Sequence, residues 1–326
     1  MGITDAVLMV TSRCNSRCTM CDAWKDKSGV ELPAEDYWKL PKTLKSINIV
    51  GGEPFLREDL PEVLRIISER CRNPRLVIST NGILVECIKR QLPLIMNNVS
   101  RLAIRVSVDG IGDVHDKVRG IRGNFEQCIE VIKYCKEIGV MDLGVGTTVS
   151  KLNESNFSQV KDLADSLGVQ FTCTVVHSSP IYFGVNDNLV PASTAVIPQL
   201  QRIKRSYLKS SKPKDWFRAY FTEGVIRYVS GSPKHIDCEA GRVFVFIKAN
   251  GDVFPCNLLD KKVGNFLEDD IRNMVKMSSE VSAYVRSCPK RCWMICTVAP
   301  MIKKEPFGPA LWVIKNKLGT ILTKKC

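Results

Sequence analysis

Short runs of β-branched and aliphatic residues return along the first half of the chain: AVLMV at 6–10, KSINIV at 45–50, RLVIST at 75–80, RLAIRVSV at 101–108, DLGVGTTVS at 142–150 and VQFTCTVVH at 169–177. Amphipathic stretches separate them. In the clearest of these, Phe125, Cys128, Ile129, Ile132, Cys135 and Ile138 mark one helical face, and Gly139 marks its stop. Strands alternating with helices in this rhythm predict βα units and a parallel sheet. Six units fall short of the eight that close a barrel. The expected fold is therefore α/β, an open, partial (β/α)6 TIM-like barrel.

Beyond residue 177 the rhythm breaks. In HSSPIYFGVNDNLVPAST and just after it, Pro180, Gly184, Pro191 and Pro198 punctuate an expected connecting loop. A basic helical segment follows, and then RVFVFIKANGDVFPC, where an Asn-Gly turn between two β-like runs predicts a hairpin. The pattern divides the chain into a barrel at 1–195, a small cysteine-rich domain with a β-hairpin at 196–300, and a basic amphipathic tail at 301–326. No solenoid-length repeat or low-complexity tract interrupts it.

Composition adds chemistry to this frame. Fourteen cysteines in 326 residues exceed any background. With no signal-peptide layout and no apolar run long enough to span a membrane, the chain is expected in the cytoplasm and not as a disulfide scaffold. Metal or redox chemistry is the better reading. Cys14, Cys18 and Cys21 lie within TSRCNSRCTMCDAW, just after the first strand. A closed zinc site wants four protein ligands, and His115, His177 and His235 lie far off in sequence. A cubane held by three thiolates instead keeps one iron open for chemistry.

This Cys-x3-Cys-x2-Cys loop resembles the radical S-adenosylmethionine (SAM) superfamily. The resemblance implies that a [4Fe-4S] cluster binds S-adenosylmethionine, cleaves it to a 5'-deoxyadenosyl radical, and so removes a hydrogen atom from substrate. Met20 stands where the family usually has an aromatic residue. NIVGGEP resembles the family's glycine-rich turn: Gly51 and Gly52 would admit the methionine amino group and Glu53 would accept from it. ISTNG, with Ser79 and Asn81, and VSVDG continue the pattern. The resemblance puts Ser107 and Asp109 near the methionyl carboxylate or ribose and makes Arg119 a carboxylate partner. Cys71, Cys87, Cys128 and Cys135 fall in helical patterns and are expected to be buried, inert thiols.

The later cysteines resemble the SPASM/Twitch extension of the same superfamily. Cys238 and Cys256 flank the hairpin, and CPKRCWMIC supplies Cys288, Cys292 and Cys296. With Cys326 the region offers six thiols, too few for two complete clusters. One auxiliary [4Fe-4S] cluster on Cys238, Cys256, Cys292 and Cys296 is expected, with Cys288 able to replace Cys292; a zinc knuckle is the bland alternative. A fully ligated cluster would carry electrons, implying an oxidation, epimerisation or rearrangement.

The formal charge of +13 favours an anionic partner. The expected substrate is an anionic small molecule, carbohydrate or lipid-linked compound, with a peptide as alternative. The first cluster cysteine stands at residue 14, which is taken to leave no room for a leader-binding domain in front. A ferredoxin or flavodoxin is the expected reductant. Leu311, Ile314, Leu318 and Ile321 form an apolar stripe beside Trp312 and lysines, which either packs on the barrel or lies on the inner face of a membrane. His177, Tyr182 and Asp187 are candidates for the substrate side, and no catalytic residue is assigned. A nucleic-acid-binding zinc protein or a non-catalytic cluster protein are the readings outside this class. The first lacks a basic stripe interleaved with aromatics, so no nucleic acid is expected, and the second has no use for GGEP or VSVDG.

Overall fold

The computed structural model describes residues 2–232, 236–271, 279–288 and 292–322. His235, Cys326 and the side chain of Ile321 lie outside the described residues. Six strands run parallel: β1 (Asp5–Met9), β2 (Ser46–Val50), β3 (Arg75–Thr80), β4 (Leu102–Ser107), β5 (Asp142–Val149) and β6 (Gln170–Val175). They match the six expected runs. Between them lie α1 (Leu60–Arg70), α2 (Val85–Asn98), α3 (Asp113–Arg119), α4 (Asn124–Glu137) and α5 (Ser158–Ser166). Gly139 follows α4 with φ of 82°, a left-handed residue that stops the helix.

Side chains alternate across each strand, and the two faces differ in kind. Ala6, Leu8, Ile47, Ile49, Leu76, Ile78, Ile104 and Val106 share one buried core with Leu64, Leu92, Cys128 and Ile132 of the helices. The opposite face carries Asn48, Ser79, Ser107, Thr148, Thr172 and Thr174, all lining open space. A packed barrel would fill that side with branched apolar residues. Here it is a polar-walled cavity.

The second region adds α6 (Ser193–Lys209), α7 (Pro213–Val229), β7 (Phe244–Ile247), β8 (Asp252–Phe254), β9 (Gly264–Asn265), α8 (Ser279–Arg286), α9 (Ile295–Lys304) and α10 (Phe307–Leu322). The hairpin forms as expected: β7 and β8 pair antiparallel, and Gly251 takes φ of 87°. What the pattern did not disclose is that β7 pairs parallel with β1, from Asp5 opposite Phe244 to Leu8 opposite Ile247. The hairpin therefore extends the barrel sheet, in the order β6-β5-β4-β3-β2-β1-β7-β8-β9.

Two local expectations need correction. Pro198 sits inside α6, not in the connecting loop. It costs the helix one backbone bond, and burial of Val196, Leu200 and Ile203 outweighs that loss. On α10 the apolar stripe does not dock: Leu311, Ile314 and Leu318 are exposed at 68%, 56% and 57%, with Phe307 beside them at 83%. The docking face is made by buried Val313, by Trp312 edge-on to Tyr220, and by Lys317, whose Nζ donates to the Leu208 and Ser210 carbonyls.

Candidate active site

The loop after β1 is clasped from three directions. Gly52 and Glu53 donate backbone N–H groups to the Thr11 and Arg13 carbonyls at 3.1 and 2.8 Å. Arg17 and Thr19 donate to the Arg119 and Val118 carbonyls at 3.0 and 2.9 Å. Asp22 N–H reaches the Phe183 carbonyl, and the Asn188 amide reaches the Met20 carbonyl at 3.0 Å. The glycines permit this approach: a Cβ on Gly52 would lie 2.0 Å from the Arg13 oxygen, and one on Gly51 2.6 Å from the Thr11 oxygen. The GG pair thus seats the cysteine loop on the second strand's turn.

A cavity of about 300 Å³ opens over this loop. Cys14, Cys18, Cys21, Gly51, Gly52, Glu53, Ser79, Asn81, Ser107 and Arg119 all line it. Glu53 accepts from Thr80 Oγ1 at 2.8 Å, Asn81 N–H at 2.7 Å and Phe55 N–H at 3.2 Å. Burial still raises its pKa to about 7. Asp109 is brought near but not into the cavity. Wholly buried, it accepts from Thr148 N–H at 2.7 Å and stands 2.6 Å from Arg119 Nε. That contact is an ion pair whose angle falls short of a hydrogen bond. Burial opposes the charge on Arg119, but Asp109 and Cys18 together hold its pKa above the ordinary value. Arg119 Nη1 lies 3.7 Å from Cys18 Sγ.

Burial pushes the Cys14 thiol up to about 12 and Cys21 to about 11, so a metal held by them would have to displace their protons. Among the described residues no three of His, Cys, Asp and Glu converge as ligands of one metal ion. A cubane holds its thiolates at separate corners, which suits three cysteines spread along one cavity wall.

Cys238, Cys288, Cys292 and Cys296 pack, with Cys256, on one apolar cluster around Phe244, Phe246 and Phe254. Cys256 and Cys296 are each raised to about 12, by burial first and then by neighbouring Cys292; Cys238 adds to the effect on Cys256. Cys296 also lines the cavity of the first three cysteines. Of the described thiols in helical patterns, Cys71, Cys128 and Cys135 are buried, whereas Cys87 is half-buried and donates to the Phe55 carbonyl at 3.1 Å.

His177 and Tyr182 line the cavity, while Asp187 is exposed outside it. His177 is fully engaged. Its Nδ1–H donates to the Val175 carbonyl at 2.6 Å, its Nε2 accepts the Trp293 N–H at 3.0 Å, and its ring stacks on Tyr228. It fastens the end of β6 to the residue after Cys292. Sequence reasoning passed over Asn188, Thr80 and Ser16, whose Oγ donates to the Arg119 carbonyl at 3.1 Å. Single polar residues in loops carry no pattern that would have found them.

A family model described as the radical SAM superfamily matches residues 8–167, and one for the SPASM iron-sulfur cluster-binding domain matches 238–297. The chain belongs to the radical SAM superfamily. It is a radical SAM enzyme whose families bind [4Fe-4S] clusters, with S-adenosylmethionine as cofactor and an auxiliary cluster in the SPASM region. The AdoMet-dependent heme synthase of Methanosarcina barkeri is 28% identical over 81% of this chain and 80% of its own length. The Fe-coproporphyrin III synthase of the same organism is 33% identical over 50% of this chain, which spans 41% of that protein. The sporulation killing factor maturation protein SkfB of Bacillus subtilis is 23% identical over 82% of this chain and 63% of its own. In fold, the chain is similar to Streptococcus suis SuiB bound to S-adenosylmethionine, with a TM-score of 0.64, 16% identity, and coverage of 88% and 68%.

Proposed function

We propose that this radical SAM enzyme oxidises or rearranges an anionic substrate held inside the barrel, between its two cysteine sets. Cys14, Cys18 and Cys21 hold the first cluster, and Cys238, Cys256, Cys292 and Cys296 the second. When bound, the two clusters supply the electron that cleaves S-adenosylmethionine and an acceptor for the electron left after hydrogen abstraction. Around the cofactor, Glu53 would accept from its amino group, with Thr80 and Asn81 fixing the Glu53 carboxylate's orientation. Arg119 would face the cofactor's carboxylate, and Asp109 positions Arg119 from behind. Ser79 and Ser107 offer hydroxyls along the wall. A ferredoxin or flavodoxin serves as reductant.

The observation that carries this reading is Cys296, which lines the same cavity as the first three cysteines. An electron leaving a substrate radical there has a short path to the second set. The test is Cys256→Ala with Cys296→Ala under anaerobic reduction: release of 5'-deoxyadenosine persists while product is lost. Product at the wild-type rate would sink the electron-acceptor role. A porphyrin precursor of heme and an extract of small peptides are the substrates to try first, since a heme synthase and a maturation protein each align with about four fifths of this chain. Transfer of deuterium from substrate to 5'-deoxyadenosine identifies the right one.

A second reading concerns where the enzyme works. Among the described residues no helix is long and apolar enough to cross a membrane. The exposed stripe of α10, with exposed Lys315 on the same helix, fits an anionic membrane surface on which it lies flat. Leu311→Glu with Ile314→Glu should abolish flotation with vesicles of anionic lipid; unchanged flotation, or none by the wild type, removes this reading.

A further inference from the structure

A second cavity, of about 460 Å³, continues from the first down the inside of the barrel. The two share Asn48, Ser79, Ser107, Thr148, Thr174 and Cys296 as walls. The far end lies where the strands begin, and there the chemistry changes. Five of its lining side chains are cationic, Arg75, Arg105, Lys214, Arg218 and Lys303, against one carboxylate, Asp5. Asp142 and Asp215 stand behind them. Asp142 takes Arg75 at 2.7 Å, Arg105 at 2.6 Å and Lys214 at 3.0 Å. Asp215 takes Arg218 at 2.7 Å, and Asp5 takes Lys303 at 3.0 Å. Five cations against three carboxylates leave two positive charges uncompensated.

The donors are not used up either. Among the described residues Arg75 gives Asp142 one nitrogen, Nη2, and Lys214 and Lys303 each give one carboxylate their Nζ. Between this end and the cysteines the wall has an apolar side, formed by Phe217 and Phe221 of α7, Val77 of β3, and Ala299 and Pro300 of α9. Arg75 and Ser79 are four residues apart on β3, about 13 Å at strand rise.

We propose that this end of the barrel is an anion anchor for the substrate. Arg75, Lys214, Arg218 and Lys303 bind the carboxylate or phosphate of an elongated molecule with an apolar body, whose other end reaches the cysteine cavity about 13 Å away. The proposal rests on the reading of the barrel as the substrate site and names what that site selects. The two positive charges in excess of the three carboxylates favour an anionic end group over a neutral one.

The test uses the cluster-loaded enzyme and a matched pair of fluorescent probes. One is 8-anilinonaphthalene-1-sulfonate, an apolar body with one anionic end. The other is N-phenyl-1-naphthylamine, the same rings without the charge. Arg75→Gln and Lys214→Gln, both partly exposed, leave Arg105 on Asp142 and so preserve the network behind the anchor. Each should weaken binding of the sulfonate about tenfold and leave the neutral probe unchanged. Citrate and pyrophosphate as competitors distinguish a carboxylate anchor from a phosphate one. Sulfonate binding unchanged in both variants, or equal loss for both probes, overturns the proposal; binding to the α10 stripe would appear as the first of these. Release of 5'-deoxyadenosine by the wild type is measured on the same preparation. Its absence would defeat the radical reading, while the probe result would still decide the anchor.

Discussion

Replacing Gly52 by alanine tests how the first cluster site is built. The new Cβ would stand 2.0 Å from the Arg13 oxygen, 2.4 Å from the Arg13 carbonyl carbon and 2.6 Å from Cys14 Cβ. Ordinary contact begins at 3.4 Å, so the first of these falls short by 1.4 Å. Two of the three opposing atoms are backbone, and none belongs to the end of a flexible side chain. The Gly52 backbone is itself tied to Thr11 by its N–H, so neither partner can slide away alone. Overpacking of this kind costs about 3 kcal/mol, the upper part of its usual range, and the strain falls on the loop holding Cys14. The expected outcome after anaerobic reconstitution is about four irons per chain where the wild type takes about eight, with release of 5'-deoxyadenosine abolished. Gly146→Ala is the control, because nothing lies within 4 Å of its Cβ position. If Gly52→Ala bound a full complement of iron and cleaved S-adenosylmethionine normally, the view of GGEP as the seat of the cysteine loop would be wrong.

Gly224→Ala should strike the other cluster. Its Cβ would lie 1.8 Å from Trp293 Cε2, displacing the ring beside Cys292, and iron content should again fall to about four while release of 5'-deoxyadenosine survives. Asp109→Asn removes one partner of a buried ion pair, which should lower stability by about 3 kcal/mol in denaturant unfolding and raise the KM for S-adenosylmethionine with iron content unchanged. Retained stability would show that Arg119 needs no partner there. Burial lowers the pKa of His177 to about 4 from an ordinary 6.5. The unfolded chain therefore takes up the extra proton, and stability present above pH 6.5 is lost as pH falls towards 4, by about 3 kcal/mol in total. His177→Asn should flatten that part of the profile; an unaltered acid limb would assign the loss to other groups.

The strands were legible because each is a short apolar run between amphipathic helices, and hydrophobic burial depends on that pattern alone. The three cysteines and GGEP were legible because local spacing carries their geometry. The polar interior was present in the same strands but went unread: Asn48, Ser79, Ser107, Thr148 and Thr174 alternate with buried aliphatics. That alternation shows which face lacks a packed core. The partnership of β7 with β1 was not legible, since nothing in either strand's sequence names a partner more than 230 residues away. The α10 stripe misled for a related reason: an apolar face predicts burial against something, and helical spacing does not say that Val313 and Trp312, on another face, would dock first.

α9 explains why the two cysteine sets and the cationic floor belong to one device. Six strands leave the barrel open beyond β6, and β7 joins β1 without closing it. The gap is covered by a helix. At one end of α9 the Thr174 hydroxyl of β6 donates to the Trp293 carbonyl, and at the other Lys303 pairs with Asp5 at the start of β1. Cys296 and Lys303 stand seven residues apart on it, about 10 Å at helical rise, within the roughly 13 Å from the cysteine cavity to the floor. A single helix thus sets Cys296 on the cysteine cavity and Lys303 on the cationic floor, and fixes the distance between the two proposed sites. A substrate gripped at its anionic end is held at one depth, so the atom that loses hydrogen is selected by its distance from that end.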